Sequence, residues 1–193
     1  MRLFVFALLC LASVSAAWAQ PPKPASDDSW TNNLPAPDDR YSNPKSPLYN
    51  GPNGWFSGGR VLAVMGPPAN LRYDYKASLN AASDGFAATE SGKLHLMYMA
   101  FGTAKPADGV WQVAAKADAA KKQVLVTFTD TSNKRILNWS GGAQGGTVTV
   151  STSGKFTYFK FRNIRLEPNG MGNKGELKQP MTIGFEGALK IDP

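Results

Sequence analysis

The twelve residues 155–166 (KFTYFKFRNIRL) constrain the fold of this chain more than any other stretch. They contain three phenylalanines and a tyrosine but no glycine or proline, a composition that favours a long, half-buried β-strand. Neither face of such a strand is uniform, because the apolar residues occupy even positions at both ends and odd positions in the middle. We therefore predict a β-bulge, or a crossing from one sheet to another, within this strand.

The rest of the folded region has the pattern of shorter strands separated by turn residues. Period-two alternation is clearest over 71–77, 124–129 and 182–191, and no segment carries apolar residues at i, i+3, i+4 and i+7 over three helical turns. Eight or nine short strands with regular turn signals predict an all-β fold. We favour an antiparallel β-sandwich of the jelly-roll type, and the alternative is a small closed β-barrel that holds an apolar ligand.

The first nineteen residues have the pattern of a secretory signal peptide. Arg2 supplies the positive charge, residues 3–14 supply the apolar run, and Ala17-Trp18-Ala19 supplies the cleavage site. The apolar run is too short to predict a transmembrane segment. The single cysteine lies inside it, so we predict a periplasmic or secreted mature chain without disulfide bonds.

Residues 20–53 contain eight prolines and almost no aliphatic side chains. Such a composition cannot bury enough apolar surface to offset its ordering entropy, so we predict a disordered, proline-rich tether before a single β domain at 54–193. Two similar four-residue motifs, DDSW at 27–30 and DDRY at 38–41, each have an acidic pair followed two positions later by an aromatic residue. They could dock the tether on a partner protein or pin it to its own domain, and the sequence leaves both open.

The formal net charge is +7, and removal of Arg2 with the signal peptide lowers it to +6. This surplus favours contact with acidic glycans or other anionic ligands, with simple solubility as the alternative explanation. Because the chain is predicted to be exported, we expect no nucleic-acid partner.

The most specific set of candidate metal ligands in the sequence consists of His95, Met97 and Met99. Alternation along a strand places all three on one face, and imidazole with two thioethers suits Cu(I). Phe101 continues the same face, which favours a core instead. His95 is also the only histidine, so a Ser-His-Asp triad would have to use it, but no nucleophile motif accompanies it. We predict no metal and no other cofactor.

Paired carboxylates are the signature of glycoside hydrolysis, and Asp74 and Glu186 both project from predicted strands. The sequence does not give their separation. It leaves a glycan hydrolase as an alternative function, although we predict no catalytic residues.

Basic and aromatic residues interleave within 155–166, an arrangement that suits stacking on sugar rings with flanking donors. The alternative is that the aromatic residues lie in the core and the basic residues are simply solvated. The glycine-rich loop 141–146 could form a mobile lip beside such a face, or it could be a plain hairpin connection. The residues predicted to bind a ligand are Tyr158, Lys160, Arg162, Arg165, Gly141 and Gly146.

The run FRNIRLEP at 161–168 resembles a strand found in secreted lectin-like jelly-roll domains of the glycoside-hydrolase type. The resemblance covers eight residues, and in that family the strand closes the domain, whereas twenty-five residues follow it here. It implies a sandwich fold and transfers no functional residue.

Together these patterns predict an exported, non-enzymatic binding or accessory protein of the bacterial envelope. Its ligand would be a glycan or another anionic molecule, and its tether could reach a protein partner. A glycan hydrolase and a periplasmic copper-binding protein remain the two alternatives.

Overall fold

The computed structural model describes residues 58–90, 94–132, 136–142, 145–153, 156–170, 173 and 175–190. The predicted signal peptide and tether, residues 1–53, lie outside these ranges. The strands are β1 (Gly58–Met65), β2 (Leu71–Ala81), β3 (Gly85–Glu90), β4 (His95–Ala100), β5 (Gly109–Val113), β6 (Gln123–Asp130), β7 (Leu137–Gly141), β8 (Thr147–Ser153), β9 (Phe156–Asn169) and β10 (Met181–Lys190). Two short 3-10 helices span Ala119–Lys121 and Gly175–Lys178. Within the described ranges, no helix has the length and apolarity needed to cross a membrane.

The strands form a closed β-barrel of nine strands, which confirms the predicted all-β class. Of the two predicted architectures, the structure adopts the small closed barrel rather than the jelly-roll sandwich. Closure depends on β9, which pairs along one edge with β10 and along the other with β8 and then β7. Pairing on both edges leaves no exposed sheet edge in this part of the wall.

The glycine-rich sequence 141–146, of which residues 143 and 144 lie outside the described ranges, does not join two strands that pair with each other as a hairpin. β7 and β8 flank it, and both run antiparallel to β9, so they act as one interrupted strand. β5 enters at the break and pairs with β6 and β8. Gly141 is required there because a Cβ atom would lie 2.7 Å from Cγ1 of Val113. Gly146, with a φ of +127°, accepts a hydrogen bond from the Val113 amide at 2.9 Å.

The predicted β-bulge in the long strand is confirmed. The register between β9 and β10 shifts between Ile183 and Phe185, and Asn163 adopts a positive φ of 52° opposite this shift. Phe161 before the bulge and Ile164 after it are both buried. The extra residue thus keeps apolar side chains inside the barrel although the sequence pattern changes phase.

Side chains from opposite walls meet inside the barrel. Phe159 of β9 lies 4.5 Å from Phe86 of β3 and 5.8 Å from Phe101, measured between ring centroids. Phe101 in turn contacts Trp111 edge to face at 4.9 Å. This part of the interior is a packed aromatic core, as expected for a barrel of this size.

Candidate functional site

A group of polar side chains points into the barrel near one end, where β2 and β4 begin and β3 and β6 end. Alternation on four neighbouring strands brings them together, and His95 is the direct Cα partner of Asp130 across β4 and β6. We refer to this group as the polar cluster; it consists of Tyr73, Tyr75, Glu90, His95 and Asp130.

His95 sits between two carboxylates. Its Nδ1 lies 2.7 Å from Oε2 of Glu90, and its Nε2 lies 3.4 Å from Oδ1 of Asp130. The first distance is that of a hydrogen bond, and the second is longer than a normal hydrogen bond. Asp130 also accepts a hydrogen bond from the Tyr73 hydroxyl at 2.8 Å and one from the Ser132 amide at 2.7 Å. The cluster therefore ties β2, β3, β4 and β6 together.

The surroundings of the cluster lower the pKa of Asp130 and raise the pKa values of the two tyrosines. Burial acts to raise the pKa of Asp130, but the hydrogen bonds from Ser132 and Tyr73 and the nearby His95 lower it below its ordinary value. Burial raises the pKa of Tyr73, and its hydrogen bond to Asp130 adds to the effect. Burial and the charge of Glu90 raise the pKa of Tyr75 in the same way. Neither tyrosine is thus prepared to act as a base.

The three candidate copper ligands lie in different surroundings within the barrel. His95, Met97 and Met99 share the inner face of β4 as the alternation predicts, but both methionines are fully buried in the apolar core. Both imidazole nitrogens of His95 lie close to carboxylates, so a metal ion on the ring would compete with these contacts. Among the described residues, no group of three His, Cys, Asp or Glu side chains could hold a metal ion.

We expect the barrel to lose stability in acid, because the pKa values of Asp130 and Asp74 are lowered in the folded state. Such groups stabilise the fold above their unfolded pKa, about 3.9, and this contribution is lost as the pH falls through the folded value. Urea unfolding below about pH 5 should therefore show a midpoint that drops with pH. Asp130→Asn should flatten this dependence, and an unchanged slope in that variant would contradict the assignment.

The predicted basic residues all lie on the outer face of β9, but their surroundings differ. Arg162 is largely buried, with a side chain that is 12% exposed, and its Nη2 lies 2.7 Å from Oε2 of Glu186. Arg165 is 51% exposed and forms a surface pair with Glu167 at 2.7 Å. Lys160 is half-buried between these extremes.

Strand β8 adds a row of hydroxyl groups beside these basic residues. Thr147, Thr149 and Ser151 are all exposed, and Thr149 is the direct Cα partner of Lys160. The break at Gly141 and Gly146 lies further along the same wall. The structure thus places the predicted basic residues on β9 and the two predicted glycines beside it, at the end of β7 and just before β8.

Tyr158 does not offer the exposed stacking face that the sequence suggested. Its ring projects outward from β9, yet the residue is only 5% exposed and packs with Ala188 in a small buried cluster. Sugar stacking at this position therefore has no open aromatic surface.

The candidate hydrolase pair, Asp74 and Glu186, is engaged by arginines on the outer wall. Asp74 accepts two hydrogen bonds from Arg60 at 2.9 Å and one from Arg72 at 3.0 Å, and the bonds from Arg60 are the main cause of its lowered pKa. Glu186 contacts Arg162. A glycosidase needs one carboxylic acid that stays protonated, so a lowered pKa does not suit Asp74 to that role.

Sequence reasoning missed three members of the polar cluster that bear on His95. Glu90 lies five residues before His95 across the β3–β4 hairpin, so the hairpin register was a usable signal. Tyr73 and Asp130 are 57 residues apart, and no local pattern links them.

No protein-family model, curated protein or solved structure matches this chain.

Proposed function

We propose that this chain is an exported, non-enzymatic binding or accessory protein of the bacterial envelope. It would recognise a glycan or another anionic ligand through the outer face of β8 and β9. The observation that carries this proposal is the row of exposed hydroxyls on β8, with Thr149 in direct register with Lys160.

The chemistry of this face suits an acidic sugar. Hydroxyl groups both donate and accept, so Thr147, Thr149 and Ser151 can replace water around ligand hydroxyls. Lys160 and Arg165 supply positive charge at the edge of the row. The surface pair of Arg165 with Glu167 is weak enough for the guanidinium to turn towards a ligand carboxylate. Arg162 would support the site from below, because it is held by Glu186.

The two alternative functions have less support among the described residues. Copper binding would compete with the carboxylate contacts of His95, and in a hydrolase the lowered pKa of Asp74 would suit it to the nucleophile or base role and leave the acid role to Glu186, which contacts Arg162. A binding surface on the outer wall requires neither arrangement.

The test is co-sedimentation of residues 20–193 with isolated envelope fractions at low and high salt. Combined Lys160→Gln and Arg165→Gln substitution should weaken binding about two- to thirtyfold at low salt, since exposed ion pairs are worth about 0.2–1 kcal/mol each. Thr149→Val should weaken the binding that persists at high salt, where charge is screened. Combined Lys116→Gln and Lys121→Gln substitution is the matched control, because it removes the same two charges from exposed positions outside β8 and β9.

Equal losses in the control and the double variant would mean that net charge alone drives binding. Absence of binding at both salt concentrations would refute the proposed function.

A further inference from the structure

The row of exposed hydroxyls on β8 continues sideways onto a third strand, β5. Thr147 is the direct Cα partner of Gln112, and Thr149 is the direct Cα partner of Val110. Gln112 is exposed, and Val110 is 52% exposed. Trp111, which lies between them on β5, is buried in the barrel core. The exposed side chains of β5 and β8 therefore share one outer surface with those of β9, and we refer to it as the three-strand face.

The three-strand face is open and does not enclose a ligand. It lies on the outer wall of a closed barrel, and such a wall is convex. Binding sites for small molecules are concave and bury most of the ligand surface. Each exposed hydrogen bond contributes little net free energy, and immobilising a ligand costs more than a few such bonds return. A ligand on this face must therefore collect contacts from several positions at once.

The exposed hydroxyls repeat along β8. Thr147, Thr149 and Ser151 alternate with buried residues and span about 13 Å, since each residue of a strand advances about 3.3 Å. Hydroxyl groups both donate and accept, which suits the hydroxyls of successive sugar units. Val110 adds an apolar surface beside Thr149, against which the C–H groups of a sugar ring can pack. An inorganic polyanion has no such groups.

Positive charge is placed at two points along the same direction. Lys160 is the Cα partner of Thr149, and Arg165 lies five residues further along β9, beyond the Thr147 end of the antiparallel row. Glu167, at 2.7 Å from Arg165, balances part of this charge. Five residues correspond to roughly 15 Å of strand, so carboxylates on two different sugar units fit the two basic side chains better than a single carboxylate does.

We propose that the three-strand face binds an acidic polysaccharide that lies along β8 and contacts it through several consecutive sugar units. This inference rests on the proposed function and names its ligand class, which is a chain of carboxylated sugars and not a monosaccharide, a free anion or an inorganic polyanion. Contacts that are individually weak add along such a chain, because each bound unit holds the next at a high effective concentration. Affinity therefore depends on the length of the oligosaccharide.

The first test measures how residues 20–193 bind oligogalacturonates of one to six units, by isothermal titration calorimetry at 0.15 M ionic strength. The dissociation constant should fall about tenfold or more from the monomer to the tetramer, which exceeds the roughly fourfold gain that additional binding registers supply. Maltooligosaccharides of the same lengths, which lack carboxylates, should bind more weakly. Equal affinity for all lengths, for the neutral oligomers, or for polyphosphate of matched charge would overturn the proposal.

The second test places the polymer on the three-strand face. Val110→Glu should weaken binding of the hexamer about fivefold or more, because it replaces an apolar contact beside Thr149 with a like charge. Leu94→Glu is the matched control, since Leu94 is 60% exposed just before β4 and receives the same charge. Charges more than about 8 Å apart are largely screened at this ionic strength, so the control should change the affinity by less than about twofold. Equal effects of the two substitutions would refute the placement.

The results also separate this inference from the proposed function. If residues 20–193 co-sediment with envelope fractions but bind no oligogalacturonate of any length, the ligand class is wrong and the binding function stands. If neither experiment detects binding, both are refuted.

Discussion

Replacing Arg162 with methionine is expected to lower the free energy of unfolding by about 3 kcal/mol or more. Glu186 is 2% exposed, and the guanidinium 2.7 Å away is its closest described cation. Removing one partner of a buried ion pair leaves a charge in a poorly solvated place, which typically costs about 3–5 kcal/mol. The same substitution removes a hydrogen bond from Arg162 to the Phe185 carbonyl oxygen at 3.2 Å. Urea unfolding followed by tryptophan fluorescence measures the loss.

Arg165→Met is the matched control on the same strand. The pair between Arg165 and Glu167 is exposed on both sides, so its loss should cost at most about 1 kcal/mol. Combining Arg162→Met with Glu186→Leu should recover much of the lost stability, because an apolar pair no longer carries a buried charge. If Arg162→Met costs no more than Arg165→Met, the pair with Glu186 is not structural.

This result also decides how binding experiments on β9 are interpreted. A variant that weakens the barrel lowers apparent affinity without touching the ligand, so lost binding in Arg162→Met would not identify a contact. Lys160 and Arg165 lie closer to solvent and are the better probes of the proposed ligand face. Arg162 is thus a predicted binding residue whose observed contacts are structural.

Local pattern was sufficient to predict the strands and the bulge. The change of phase between Phe161 and Ile164 can keep both side chains buried only if one residue is added, and Asn163 supplies it. The same pattern could not distinguish a sandwich from a barrel, because apolar and polar residues alternate along the strands of both architectures. That choice depends on β9 pairing with β8, β7 and β10, which are contacts set by register between distant segments.

The candidate sites show the same division between local and distant information. Alternation correctly placed His95 with Met97 and Met99 on one face, but the groups that engage its ring come from β3 and β6. Alternation also separated Tyr158 from the inward-facing Phe159 and Phe161, yet it could not reveal that Tyr158 is buried against Ala188. The side of a strand on which a residue lies follows from its immediate neighbours in the sequence. The residues that it contacts come from strands that are distant in the sequence.

Phe159→Ala is expected to cost about 3–5 kcal/mol, because truncating a buried aromatic loses its transfer free energy and leaves a cavity. Phe159 is fully buried, and its ring contacts Phe86 and Phe101 from the opposite side of the interior. Phe159→Leu keeps most of the volume and should cost appreciably less. Thr149→Ala, at an exposed position on the neighbouring strand, should change stability by no more than about 0.5 kcal/mol.

The same variant distinguishes a packed barrel from one built to hold an apolar ligand. If aromatic side chains fill the interior, the wild-type protein should gain no thermal stability from benzene or indole. Phe159→Ala should gain several degrees in its unfolding midpoint, because a ligand that binds only the folded state stabilises it by mass action. A wild-type barrel that is itself stabilised, together with a Phe159→Ala cost below about 1 kcal/mol, would show a hollow interior. It would also move the search for a ligand from the outer face of β8 and β9 to the inside of the barrel.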